Sequence, residues 1–161
     1  MDIIGINDTP AEFEGMLLFG AFRWDGTYVV KTEQTVIVRT ESAHVIAALP
    51  DSTAEIDGCD AVAFAVLYDK NGAQVSAARL VHSTYDCLPM EQASIDVQLE
   101  DGKAVFVSDR PVLGVCLDLD GESFLADNMF DLFAGVPYRL PWGETKPPEI
   151  LFTLNQLVNG Q

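Results

Sequence analysis

Apolar and polar residues alternate with period two along most of this chain. Between Ser94 and Glu100, Ile95, Val97 and Leu99 face one way while Ser94, Asp96, Gln98 and Glu100 face the other. That is the pattern of a strand with one dry and one wet side. Val62 to Tyr68 is apolar on both faces and reads as a central strand. Leu113, Val115, Leu117 and Leu119 form another dry row, opposed by Gly114, Cys116 and Asp118, which predicts a strand over 112–119. Further short strands are expected over 17–23, 29–39, 44–49, 75–81 and 103–107, with a final one from Val136 to Trp142.

The punctuation agrees with this pattern. Asp25-Gly26, Asn71-Gly72, Asp101-Gly102 and Asp120-Gly121 each fall between extended segments. Asx-Gly pairs suit the type I′ turns whose twist matches antiparallel strands. The expected fold class is therefore all-β, with antiparallel β-sandwich architecture rather than a parallel α/β sheet. The tail leaves two readings open. Ile150, Leu151, Leu154, Leu157 and Val158 match helical spacing behind Pro147-Pro148, yet Ile150 to Leu154 also fits a short edge strand. His82 to Met90 lacks alternation, and a new set of strands begins at Ser94. This places a module boundary near residues 84 to 90 and divides the chain into 1–86 and 87–161.

Composition narrows the function. The chain has 161 residues, 48% of them hydrophobic, enough for one sizeable core or two small ones. Its 25 acidic and 9 basic side chains give a formal net charge of -16, which repels phosphates and anionic lipid heads. Neither nucleic acid nor a membrane surface is an expected partner. Positive mean hydropathy and long apolar runs argue against a disordered acidic chain. Cys59, Cys87 and Cys116 are widely spaced with no Cys-x-x-Cys pair, pointing to buried thiols and a reducing, cytoplasmic setting. Met1 to Gly5 has no basic region or long apolar core, so it does not read as a signal peptide. No apolar run approaches the roughly 18 residues of a membrane span.

Residues 126 to 135, Ala-Asp-Asn-Met-Phe-Asp-Leu-Phe-Ala-Gly, carry the most specific signal. Asp127-Asn128 invites a side-chain-capped turn, Phe130, Leu132 and Phe133 supply apolar surface, and Gly135 permits a positive φ. The segment resembles the Ser-Asp-Asn-x-Phe-x-Leu-x-Pro-Gly stretch near the C-terminus of β-mannosidase-like members of glycoside hydrolase family 2. Ala126 stands where Ser is usual and Ala134 where Pro is usual, which softens the turn but keeps its Asx and Gly determinants. Asn7-Asp8-Thr9 with Phe13 to Leu17, Phe22 to Gly26 and Val66 to Gly72 resemble the sandwich module that follows the catalytic barrel in that family. Val105 to Pro111, ahead of the strand at 112, resembles its terminal module.

The resemblance implies tandem immunoglobulin-like β-sandwich modules forming a non-catalytic C-terminal accessory region, with the parent's catalytic barrel as partner and carbohydrate as a further candidate. Retaining enzymes of this kind use two carboxylates about 5 Å apart. In the family both are glutamates on the barrel, and the acid/base follows an asparagine. This chain has no Asn-Glu pair and no βα repeats that build a barrel. No catalytic, cofactor-binding or metal-binding residue carries over. The alternative is a stand-alone carbohydrate-binding β-sandwich.

Several side chains suggest chemistry of their own. Asp118, Asp120 and Glu122 around Gly121 resemble the opening of a calcium loop, but a hairpin accounts for them more simply. Asp51, Glu55, Asp57 and Asp60 sit among Ser, Thr and Gly as expected of a solvated acidic loop. His44 and His82 are far apart in sequence, with no visible converging partners. Cys116 alternates with apolar neighbours and lacks a nearby cation to activate its thiol. Trp24, Tyr28 and Trp142 are candidates for stacking on sugar rings, with packing in the core or between modules as the expected role.

Overall fold

The computed structural model describes residues 1–50, 59–81 and 83–158. The chain is an all-β sandwich protein that divides into two compact units. One is Met1–Arg23 with Tyr28–Ser83, and the other is Trp24–Thr27 with Thr84–Gln161.

The first unit contains β1 (Asp2–Asn7), β2 (Phe13–Arg23), β3 (Tyr28–Val38), β4 (Ser42–Ala48), β5 (Ala61–Asp69) and β6 (Gln74–Leu80). One sheet runs in the order β3-β2-β5-β6, and β1 pairs with β4 in a second, all antiparallel. Leu17 and Phe19 of β2, Val36 of β3 and Leu49 make the buried centre between the sheets. Ile3, Ile46, Ala63, Ala65 and Leu67 pack around it. Each of the four central side chains, taken fully out of water, contributes about 1.5–3 kcal/mol. The two-sided apolar pattern over 62–68 becomes β5, an internal strand whose Val62, Phe64 and Val66 are buried on its other face. Asn7 closes β1. Its Nδ2 donates to the carbonyls of Ala11 and Val38, and its Oδ1 accepts from the Thr9 N–H and hydroxyl.

The second unit contains β7 (Ile95–Glu100), β8 (Lys103–Ser108), β9 (Val112–Val115), β10 (Phe130–Leu132), β11 (Tyr138–Pro141) and α1 (Leu154–Val158). β11-β8-β7 form one antiparallel sheet and β10-β9 the other. Ala104 and Phe106 of β8, Leu140 of β11, and Val112, Val115, Phe130 and Leu132 of β9 and β10 fill the space between them.

The Asx-Gly pairs divide by geometry. Asp101 (φ 47°) and Gly102 (φ 73°) both take positive φ in a two-residue β7–β8 hairpin, as a type I′ turn requires. At Asn71-Gly72 only the glycine does so. There the Asp69 carboxylate accepts the N–H groups of Asn71 and Ala73 and widens the turn. Asp120-Gly121 makes no hairpin, and the strand expected over 112–119 stops at Val115.

The cause lies in side chains that take the place of a strand partner. Asn128 Oδ1 accepts the Leu117 N–H, and its Nδ2 donates to the Asp118 carbonyl. The Asp118 carboxylate accepts the N–H groups of Asp120, Gly121 and Ser123. Leu119, expected on the dry row, is 69% exposed. The tail combines both of its readings. Phe152 bridges Cys116 as a one-residue antiparallel contact, and α1 begins two residues later.

Candidate functional site

The polar side chains of the 126–135 segment are tied to neighbouring backbone and side-chain groups. Asp127 Oδ1 accepts the Asn128 N–H, while Oδ2 accepts the Tyr138 hydroxyl at 2.5 Å. Burial, and then the Asp127 carboxylate, push the Tyr138 hydroxyl well above its usual value of 10. Phe130 stacks flat on Tyr138, with centroids 4.1 Å apart and planes 5° from parallel, and meets Phe106 edge-on at 5.1 Å. Asp131 accepts the Gly114 N–H. Gly135 takes the positive φ (66°) expected of it, and its N–H donates to Ser108. Each polar group here is occupied in holding a loop or strand.

The aromatic candidates are packed. Trp24 is 4% exposed, and its Nε1 is buried without a hydrogen-bond partner among the described residues. Tyr28 lies 6.1 Å from Phe22 and 5.9 Å from Phe64, with Lys31 Nζ 4.7 Å from its ring centroid. Burial raises its hydroxyl to about 12. Trp142 packs against the second core and donates Nε1–H to the Lys146 carbonyl. Phe124, which sequence reasoning passed over, stands fully exposed in the loop between β9 and β10.

Asp118 has its carboxyl held below the usual range, chiefly by the Ser123 N–H with help from Gly121 and Asp120. Among the described residues no group of three or more His, Cys, Asp and Glu side chains is placed to hold a metal ion. His44 faces the Ser42 hydroxyl and the Ile37 carbonyl. Cys116 is buried, Cys59 half-buried beside the Ser83 hydroxyl, and Cys87 exposed. Asp60 occupies a turn, whereas Asp51, Glu55, Asp57 and His82 lie outside the described residues.

Two clefts in the first unit, of about 230 and 200 Å³, run beside β1 and are lined mainly by apolar side chains such as Ile3, Ile4 and Ala78. A third, of about 140 Å³ in the second unit, is lined by Gln92, Thr153, Asn155 and apolar neighbours. None of the three has two carboxylates in its lining, so none has the pair that glycoside hydrolysis requires.

Sequence reasoning also missed Asn155. It is 2% exposed, and its Oδ1 accepts the Leu113 N–H while Nδ2 donates to the carbonyls of Glu91 and Pro111. Its partners lie 42 to 64 residues away, so no local signal announces it.

The fold thus defines an all-β sandwich region. The chain is similar in structure to the β-D-mannosidase from Dictyoglomus thermophilum, with TM-score 0.73, 17% identity, and coverage of 97% of this chain and 19% of that one. It is also similar to the exo-chitosanase CsxA of Amycolatopsis orientalis, with TM-score 0.58, 18% identity, and coverage of 86% and 22%. Both are glycoside hydrolase family 2 enzymes, and the likeness fits the C-terminal sandwich region singled out by the sequence resemblance. The chain spans about a fifth of the length of these structures. At such identities the likeness establishes the fold. No protein-family model matches the chain, and no curated protein matches it.

Proposed function

We propose that this chain is a non-catalytic C-terminal accessory region of a β-mannosidase-like family 2 glycoside hydrolase, supporting a catalytic barrel encoded in the same or an adjoining polypeptide. The observation that carries this reading is the match of nearly the whole chain to about a fifth of a β-D-mannosidase. The 126–135 motif and the absence of an Asn-Glu pair in the sequence support it. Its three free cysteines suit a reducing cytoplasm. The purified chain should not hydrolyse aryl-β-mannosides, whereas the polypeptide carrying the barrel should. Turnover by the chain alone, abolished by replacing one of its own carboxylates, would overturn the proposal.

A stand-alone carbohydrate-binding role is the second reading, favoured by one side chain, the fully exposed Phe124. It requires saturable retention on mannan that Phe124→Ala abolishes. Trp24 and Trp142, being packed, should not be its cause.

A further inference from the structure

The outward face of the two-stranded sheet is apolar. Asp2, Ile4 and Ile6 of β1 lie opposite Ala48, Val45 and Ala43 of β4, and directly opposed residues share a face. Ile4 is 60% exposed, Ile6 69% and Val45 52%. Ile4 and Ile6 also line the 230 Å³ cleft beside them, and Met1 extends the apolar surface.

Edge protection on these strands is confined to a register shift between Ile3 and Ile4 and the charge of Asp2. β1 reads DIIGIN and β4 reads SAHVIAA, with no Lys, Arg or Pro to deter pairing with another chain. β1 pairs only with β4 among the described residues. A contiguous apolar face on so acidic a chain marks a surface that meets a partner.

Charge and area decide which partner. A second copy would bring Asp2, Asp8 and Glu41, all exposed near the ends of these strands, against their equivalents on a molecule of net charge -16. Three large side chains also make a small patch. A stable association of separate proteins buries about 1,200–2,000 Å², whereas contacts between domains of one polypeptide bury about 600–1,500 Å². Met1 directly precedes β1, so a polypeptide joined ahead of it would emerge beside the patch at high effective concentration. Four-fifths of the matched mannosidase lies outside the region this chain covers.

We infer that the outward face of β1 and β4 is the docking surface for the hydrolase's catalytic polypeptide, which meets it with an apolar surface rimmed by Lys and Arg. This rests on the accessory role proposed above. Ile4, Ile6 and Val45 act as the anchors, and the surrounding carboxylates select the partner by sign.

The test compares hydroxyl-radical labelling of the 161-residue chain alone with that of the chain produced together with the hydrolase polypeptide encoded ahead of Met1. Labelling of Ile4, Ile6 and Val45 should fall severalfold in the assembly, while Val75 and Leu157, exposed elsewhere, keep theirs. Ile6→Asp, with Val45→Lys as an independent variant, should restore labelling of the two unchanged anchors in the assembly severalfold and leave the melting temperature of the isolated chain unchanged. An active assembly in which the three residues stay fully labelled would overturn this inference and leave the accessory role standing. If no family 2 barrel is encoded ahead of Met1, both readings fall. Sedimentation of the isolated chain as a dimer that Ile6→Asp dissociates would assign the face to self-association and overturn the inference.

Discussion

Single polar side chains do backbone work in this protein. Asn7, Asn128 and Asn155 each accept from one main-chain N–H and donate to a main-chain carbonyl, replacing hydrogen bonds that a regular ladder would supply. Asn155→Ala leaves the Leu113 N–H and the carbonyls of Glu91 and Pro111 without that partner in a buried setting. It should destabilise the second unit by about 1–3 kcal/mol, read as a lower urea midpoint with unchanged slope. Asp118 makes the pH-dependent case. Its folded carboxyl lies below the usual 3.8, so its stabilising effect is present above that value and lost as pH falls through the lower folded value. The protection factor of the Ser123 N–H, the intrinsic exchange rate at each pH divided by the observed one, should therefore be high near neutral pH and fall in strong acid. Asp118→Asn should remove that acid step, and an unchanged acid response would show that the carboxylate does not hold the loop. The Asp118 candidate was visible in the sequence, but its capping partners were not, because the same letters also suit a hairpin.

At the scale of elements, the short β10 strand matters beyond its length. Phe130 joins the stacked Tyr138 of β11 and the buried Phe106 of β8 across the two sheets of the second unit. Phe130→Ala should cost about 3–5 kcal/mol. A loss below about 0.5 kcal/mol, the range of an ordinary surface change, would show that β10 is dispensable. Most strands were legible because period-two alternation is a local property, as in β5 and β7. The end of β9 was not legible, since Asn128, eleven residues on from Leu117, takes the N–H that a continuing ladder would have used. The tail stayed ambiguous for a related reason. Five apolar positions fit helical spacing while Ile150 to Leu154 also fits a strand, and only the contact with Cys116 selects a bridge at Phe152 before α1 begins.

Across the whole molecule, two buried clusters sit in two compact units, under a formal charge of -16. Like charges at that density repel one another within the folded state, and salt screens them over about 10 Å at 0.1 M. Raising sodium chloride from about 10 mM to about 0.2 M should increase the calorimetric melting temperature. A flat or falling response would mean that the charges are already locally compensated.

Alternation and Asx-Gly punctuation were enough to establish an all-β sandwich chain, because strand faces and turn conformations are set within a few residues. The 126–135 segment pointed to the hydrolase-like sandwich through its resemblance to that family's motif. Tertiary structure alone decided which asparagines replace a ladder, where β9 stops, that Trp24 and Trp142 are packed, and that Ile4, Ile6 and Val45 remain uncovered. Those outcomes depend on contacts between residues distant in sequence, whose free energies no single stretch of the chain contains.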